Sequence, residues 1–312
     1  MLEYAIGLIN VLEKNIFDHQ DQERMINAPD KESAFKVLFD TDLAEISVKE
    51  QNIEKILEKD FLSLRDIIRQ TVKDEREELF WFLFLKFDAL NLKIALKEKF
   101  SNDFKSTYSF DCSIVSFLDI QKRVEDSKYK VKNKYVESMI EEVLGKIKKA
   151  SEIEETVDMV FLKTKVKITR KTGELPFQIV KLEIDIANLK NMIKGKETFI
   201  NDGNLTRSEL KILLGKGGAF SQNLDKFLEA YNLSLIISKF DKSNSEVELE
   251  KMLEIFLSEK ILEKERNRGT GIDKVVSYFY RKINAHSNIR LIFFAKESSL
   301  SIKELKSNIL PI

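Results

Sequence analysis

Chain breakers, cysteine and histidine are all scarce in this 312-residue sequence. Three prolines (Pro29, Pro176, Pro311) and ten glycines leave few places where a helix must stop. That scarcity argues against a strand-and-turn fold and for long helices. Cys112 is the only cysteine, which excludes an intrachain disulfide and a thiolate metal cluster and fits a reducing compartment. His19 and His286 are the only imidazoles, and neither has the i, i+4 histidine partner of a helical zinc site. Neither sign of charge dominates. With 52 basic and 52 acidic residues the formal net charge is zero, so no global pull toward nucleic acid or anionic lipid exists. The longest uncharged apolar run, Leu79–Leu85, has seven residues, whereas a membrane-spanning helix needs about 20. The N-terminal stretch carries Glu3 and lacks a cationic start and small-residue cleavage site, so no secretory signal is read there. The expectation is a protein that is soluble, or seated against a membrane complex without crossing it. The 43% apolar share suffices for packed cores.

What is present is a repeat. Asn, Leu or Ile, Lys or Arg, five residues, then Lys occurs three times. The copies are Asn91-Leu92-Lys93 with Lys99, Asn188-Leu189-Lys190 with Lys196, and Asn288-Ile289-Arg290 with Lys296. The asparagines lie 97 and 100 residues apart. Flanking columns agree: Phe82, Ile179 and Phe279 stand nine before; Ala95, Met192 and Ile292 stand four after; Leu96, Ile193 and Phe293 stand five after. Offsets +1, +4 and +5 share one helical face, so each copy is expected to be a long amphipathic helix. Three helical units then account for the length, at residues 1–104, 105–203 and 204–312.

Around these, helices are expected over residues 2–17, from a start at Pro29-Asp30, over 49–73, over 76–100 with a buried N-terminal half, and over 113–162 with Gly145 as a weak point. Residues 163–171, alternating basic with Thr, Val or Ile, read as an exposed, poorly specified stretch before a turn at Thr172-Gly173. Pro176 suits the first turn of the second motif helix. Ser101–Ser109 is a candidate linker, and residues 201–204 read as a turn.

The chemistry-bearing candidates are few. Gly215-Lys216-Gly217-Gly218 lacks the spacing and upstream strand of a phosphate loop and reads as a connection between helices. Arg268-Gly269-Thr270-Gly271 reads as the turn before the third motif helix, with Asp273 near its start. His286 falls in a column otherwise held by Ala89 and Ile186, which favours a core or interface histidine over a base. Cys112 reads as a small buried hydrophobe. Asp88 and Asp185 lie three residues before Asn91 and Asn188, side by side with them on a helix. Capping or cross-bridging of neighbouring helices explains them better than paired general acids. Lys93, Lys190 and Arg290 read as solvated positions or as three equivalent cations facing a common partner. Lys163, Lys165, Lys167, Arg170 and Lys171 form a basic run without the interleaved aromatics of a nucleic-acid site. No cofactor, metal or catalytic residue is expected, and no nucleic-acid partner.

The three motif helices, in order and spaced near 100, resemble the central-stalk subunit of vacuolar/archaeal-type rotary ATPases. In prokaryotic complexes this is the C-type stalk subunit, and its eukaryotic relative is the d-type one. The opening YAIGLINVLEKNIF, the RMINAPDKESAFKVLFDTDL hairpin, FDALNLKIALKEK, IDIANLKNMIKGK, NAHSNIRLIFFAK and GKGGAFSQNL all resemble family segments. Ala285 stands where an acid is usual, and Asp42-Leu43 replaces a common Tyr. The resemblance implies an all-α fold of three similar helical domains, arranged with pseudo-threefold symmetry as a funnel. It also implies a non-enzymatic part, one copy per complex, between the rotating shaft (D/F-type subunits) and the membrane rotor ring, on the cytoplasmic side, transmitting torque for ion translocation. Asn91, Lys93, Asn188, Lys190, Asn288 and Arg290 are then candidate interface residues. The competing readings are an unrelated helical-repeat scaffold, whose units usually run to 20–50 residues, and a helical hydrolase, whose clustered reactive side chains the sequence does not provide.

Overall fold

The computed structural model describes residues 2–72, 77–101, 106, 109–215, 230–238, 246–268, 271–298 and 300–312. Among them every regular element is a helix, and there is no strand. The elements are α1 (Leu2–Leu12), α2 (His19–Asn27), α3 (Lys31–Val37), α4 (Ala44–Ser47), α5 (Ile53–Val72), α6 (Glu77–Phe100), α7 (Phe117–Glu125), α8 (Lys134–Leu144), α9 (Ile153–Thr169) and α10 (Glu174–Ile193). They continue with α11 (Arg207–Leu213), α12 (230–238), α13 (Glu246–Arg268), α14 (Ile272–Ser298) and α15 (Ile302–Ser307).

Local chemistry sets many of these boundaries. Asp18 caps α2 by accepting from the Gln20 and Asp21 amides, and Asp21 answers as the other half of a capping box. Asp30 caps α3 through the Ser33 amide at 2.7 Å, as the Pro29-Asp30 start signal predicts. Pro176 lies in the first turn of α10, where a missing N–H costs nothing.

The chain divides into two compact units, Met1–Leu64 with Asp185–Ile312, and Arg65–Ile184. In the first, α14 packs against α1, α2, α3, α13 and α15. Its core joins Phe17, Met25, Leu38 and Ile56 to Ile289 and Ile292 of α14. In the second, α6 packs against α7, α8 and α9. Leu79, Phe80, Phe82, Leu83, Phe84 and Leu85 are all buried there, as the expected burial of this N-terminal half requires.

Two expectations need correction. Residues 113–162 are not one helix: α7 ends at Glu125, α8 begins at the Asn133 cap, and Gly145 closes α8 before α9 starts at Ile153. The Asn133 side chain accepts from the Tyr135 and Val136 amides, and that cap starts a new helix. Residues 163–171 are not an exposed stretch either. Residues 163–169 are the last turns of α9, and Lys165, Val166, Ile168 and Thr169 are buried. The alternating pattern misleads because one of its lysines points inward. The Lys165 ammonium bonds both Glu183 oxygens at 2.9 and 2.7 Å and lies 4.6 Å from the Phe82 ring centre.

Candidate functional site

The three motif helices are α6, α10 and α14, and their asparagines do the same thing in each. Asn91 accepts the Phe110 amide at 2.9 Å and donates back to the Phe110 carbonyl at 3.0 Å. Asn188 does this with Ile200, at 2.8 Å in both directions. Asn288 does it with Leu310, again at 2.8 Å both ways. All three carboxamides are buried. A carboxamide has the donor–acceptor geometry of a peptide, so it pairs with one residue of a later segment as a neighbouring strand would. The repeated asparagine is thus a clamp that pins a returning segment to its helix.

The acid column adds a second clamp. Asp88 accepts the Ile114 and Val115 amides, each at 2.9 Å. Asp185 accepts the Asn204 and Leu205 amides at 3.1 and 3.0 Å. The very next residue, Ser116 or Thr206, caps α7 or α11. Both acids therefore serve capping, the reading preferred over acid–base chemistry. Burial pushes the Asp88 carboxyl up to about 7, against the pull of its two backbone donors. In the third copy Ala285 fills this column, and Asn284 one residue earlier donates to the Pro311 carbonyl at 2.8 Å. Sequence reasoning missed a signal for these clamps. Ser116-x-x-Asp119 and Thr206-x-x-Glu209 are both capping-box patterns, six residues after the clamped Phe110 and Ile200.

The chain reaches Ile200 by a defined route. Gly195 ends α10 with φ of 68°. Its amide and that of Lys196 return to the Met192 and Asn191 carbonyls, which is the glycine-dependent helix stop.

The motif cations each meet an acid on another helix. Lys93 bridges Glu154 and Asp158 of α9 at 2.6 and 2.8 Å. Lys190 lies 3.8 Å from Glu250 of α13. Arg290 donates to both Glu54 oxygens of α5 at 3.1 and 2.8 Å. Their side chains grade from 13% exposed at Lys93 through 31% at Lys190 to 45% at Arg290. Only the latter two keep much access to a partner. Arg290 also borders a surface groove of about 560 Å³ with Lys31, Asn52, Phe293 and the exposed Phe294. Two of the three closing motif lysines reach helix ends. Lys99 donates to the Val124 carbonyl in the last turn of α7 at 2.6 Å, and Lys296 to the Ile26 and Ala28 carbonyls at the end of α2. A cation there meets the negative pole of the helix.

The remaining candidates have structural surroundings. His286 is buried, with Nε2 2.5 Å from Asp60 and its ring edge-on to Phe61. Burial holds its pKa below the ordinary value. Cys112 is buried, and burial pushes its thiol up to about 12, so it is a poor nucleophile. Gly271 directly precedes α14 with φ of 66°, and Asp273 lies in the first turn. Residues 216–220 and 269–270 lie outside the described residues, as does most of the 101–109 linker. Among the described residues no group of three His, Cys, Asp or Glu side chains could hold a metal ion. Among them, too, no helix is long and apolar enough to cross a membrane.

The family model that matches this chain is described as ATP synthase (C/AC39) subunit, and the match runs over residues 5–308. No curated protein sequence matches it significantly.

Proposed function

The chain belongs to the ATP synthase (C/AC39) subunit family, the C/d-type subunits of V/A-type ATPases, and from that membership we propose that it is the non-catalytic central-stalk coupling part of such a machine. It joins the rotating shaft to the membrane rotor ring and carries torque between ATP chemistry and ion translocation. One copy serves each complex, on the cytoplasmic side, peripheral to the membrane. Its three repeat units, 1–104, 105–203 and 204–312, form a funnel around a pseudo-threefold axis, with the shaft tip seated in it. The family match over nearly the whole chain is the observation that carries this reading.

The clamps supply physical support. A torque-bearing part must resist internal slip, and stiffness comes from close-packed helices with no unsatisfied backbone between them. In each copy the asparagine ties a returning segment to the longest apolar helix by two hydrogen bonds. Among the motif residues, Lys190 and Arg290 keep the exposure a docking contact needs; Asn91, Asn188, Asn288 and Lys93 support that contact from below.

The test is co-purification. Tagged protein expressed with the other subunits of the same complex is expected to retain the shaft subunits and the rotor ring. Retention of neither would overturn the proposal.

A further inference from the structure

A row of charge on the second compact unit takes no part in the clamps. The chain is neutral as a whole, yet residues 127–136, SKYKVKNKYV, hold four lysines and no acid. They run from just after α7 into the first turn of α8. Burial alternates along them. Lys128, Lys130, Lys132 and Lys134 are exposed, Val131 is buried, and Tyr129, Asn133 and Tyr135 are half-buried. This period of two puts all four lysines on one outer side of a segment that is not helical before Lys134.

The inner side is pinned, so the row keeps its direction. The Tyr129 hydroxyl donates to Asp119. The Val131 amide donates to Glu137 at 3.0 Å, and Asn133 caps α8 through the Tyr135 and Val136 amides. The outer side is barely neutralised. Lys130 meets Glu137 at 2.9 Å and Glu141 at 3.5 Å. Glu137 is also held by Arg123 at 2.8 Å. Lys128, Lys132 and Lys134 make no ion pair among the described residues. The N-terminus of α8, beside Lys132 and Lys134, adds the positive pole of its helix. Like charges in a row repel one another, so the fold gains nothing from this placement, whereas an anionic partner does.

We propose that this row, Lys128, Lys130, Lys132 and Lys134, is a docking surface for a membrane of anionic phospholipid. Clusters of about four or more lysines bind such a membrane by summed attraction to its surface potential. An ammonium is a compact point charge on a flexible stem, which suits a fluid array of headgroups better than a fixed site for one phosphate. Nucleic acid fits less well, because single strands bind by stacking on free aromatic faces. Here ammoniums already cover the rings: Lys122 lies 5.9 Å over Tyr129, and Lys134 lies 5.1 Å over Tyr135 and 5.9 Å over Trp81. Trp81 and Tyr135 are half-buried, 5.3 Å apart. Such amphipathic rings favour the headgroup level of a bilayer. The contact goes beyond the coupling role proposed above, since it needs neither shaft nor ring.

Sedimentation of the full chain with phosphatidylcholine vesicles, with and without phosphatidylserine, tests this in the absence of any other subunit. Binding is expected only where phosphatidylserine is present, and is expected to weaken as salt screens the charges. Changing Lys128, Lys130, Lys132 and Lys134 together to Gln is expected to weaken it about tenfold or more. The same change at Lys36, Lys49, Lys55 and Lys303, exposed lysines of the other unit, is expected to leave it within about twofold. Should the fourfold row variant not fold, Lys128→Gln with Lys132→Gln, which breaks no ion pair, is expected to weaken binding about threefold or more. No phosphatidylserine-dependent binding, equal losses in the row and control variants, or tighter binding to polyuridylate than to the vesicles would overturn the proposal. Failure to co-purify with shaft and ring leaves this result untouched, so the lipid contact and the coupling role fail separately.

Discussion

Asn188 and Ile200 pair as two strand residues would, amide to carbonyl in both directions at 2.8 Å, although Asn188 contributes only its side chain. Replacing it by alanine strips a buried N–H and a buried C=O of their partners at once. Each loss costs about 1–3 kcal/mol. Asn188→Ala is therefore expected to lower the unfolding free energy by about 2–4 kcal/mol in denaturant titration. A loss below about 0.5 kcal/mol would mean that water replaces the clamp.

Asp88 gives a pH signature. Burial pushes its folded-state carboxyl up to about 7, above the ordinary value of 3.8. The folded state thus holds a proton that the unfolded chain has already released, so stability must fall as pH rises from about 4 to about 7 and level off beyond. Asp88→Asn lacks this group. The wild-type advantage over the variant is expected to shrink by up to about 4 kcal/mol across that window, since each tenfold difference in acidity between the two states is worth about 1.4 kcal/mol. A difference independent of pH would show that the backbone donors cancel burial, and one that grows with pH that they outweigh it.

Lys165 and Glu183 form a buried pair whose energetics are asymmetric. Lys165→Met removes the ammonium and leaves Glu183, largely shielded, without it. Breaking such a pair costs about 3–5 kcal/mol, while replacing both partners by apolar groups is often neutral. Chemical denaturation of Lys165→Met and of Lys165→Met with Glu183→Leu is expected to show a large loss and then its recovery. No recovery in the double variant would place the pair's value in its own bonds.

The motif cations separate stability from assembly. Lys190 and Glu250 are both substantially exposed, so reversing Lys190 to Glu is expected to cost under about 1 kcal/mol. Adding Glu250→Lys restores that cost. Reversal of Lys93, Lys190 and Arg290 together is expected to weaken assembly, measured by recovery of the complex in pull-down. If the intramolecular swap restores assembly as well as stability, these cations do not face a partner.

Much of the architecture was legible because amphipathic helices announce themselves. The columns at +1, +4 and +5 from each asparagine give α6, α10 and α14, and Asp30 and Pro176 mark helix starts where they stand. Burial of His286 could be read from the apolar column it occupies, beside Ala89 and Ile186. What stayed hidden depends on distant partners. Lys165 looks solvent-bound until Glu183 and the Phe82 ring are placed beside it. The split of 113–162 turns on one asparagine cap. The asparagine clamps join residues 12 to 22 positions apart, beyond any helical period. His286 and Asp60 lie 226 positions apart and carry no shared pattern in the chain.

Mechanical coupling by this chain is testable in reconstituted proteoliposomes. ATP hydrolysis and ATP-driven ion uptake are measured together, with and without this chain in the complex. Omitting it is expected to leave hydrolysis by the soluble sector in place while uptake falls to background. Undiminished uptake without the chain would contradict it.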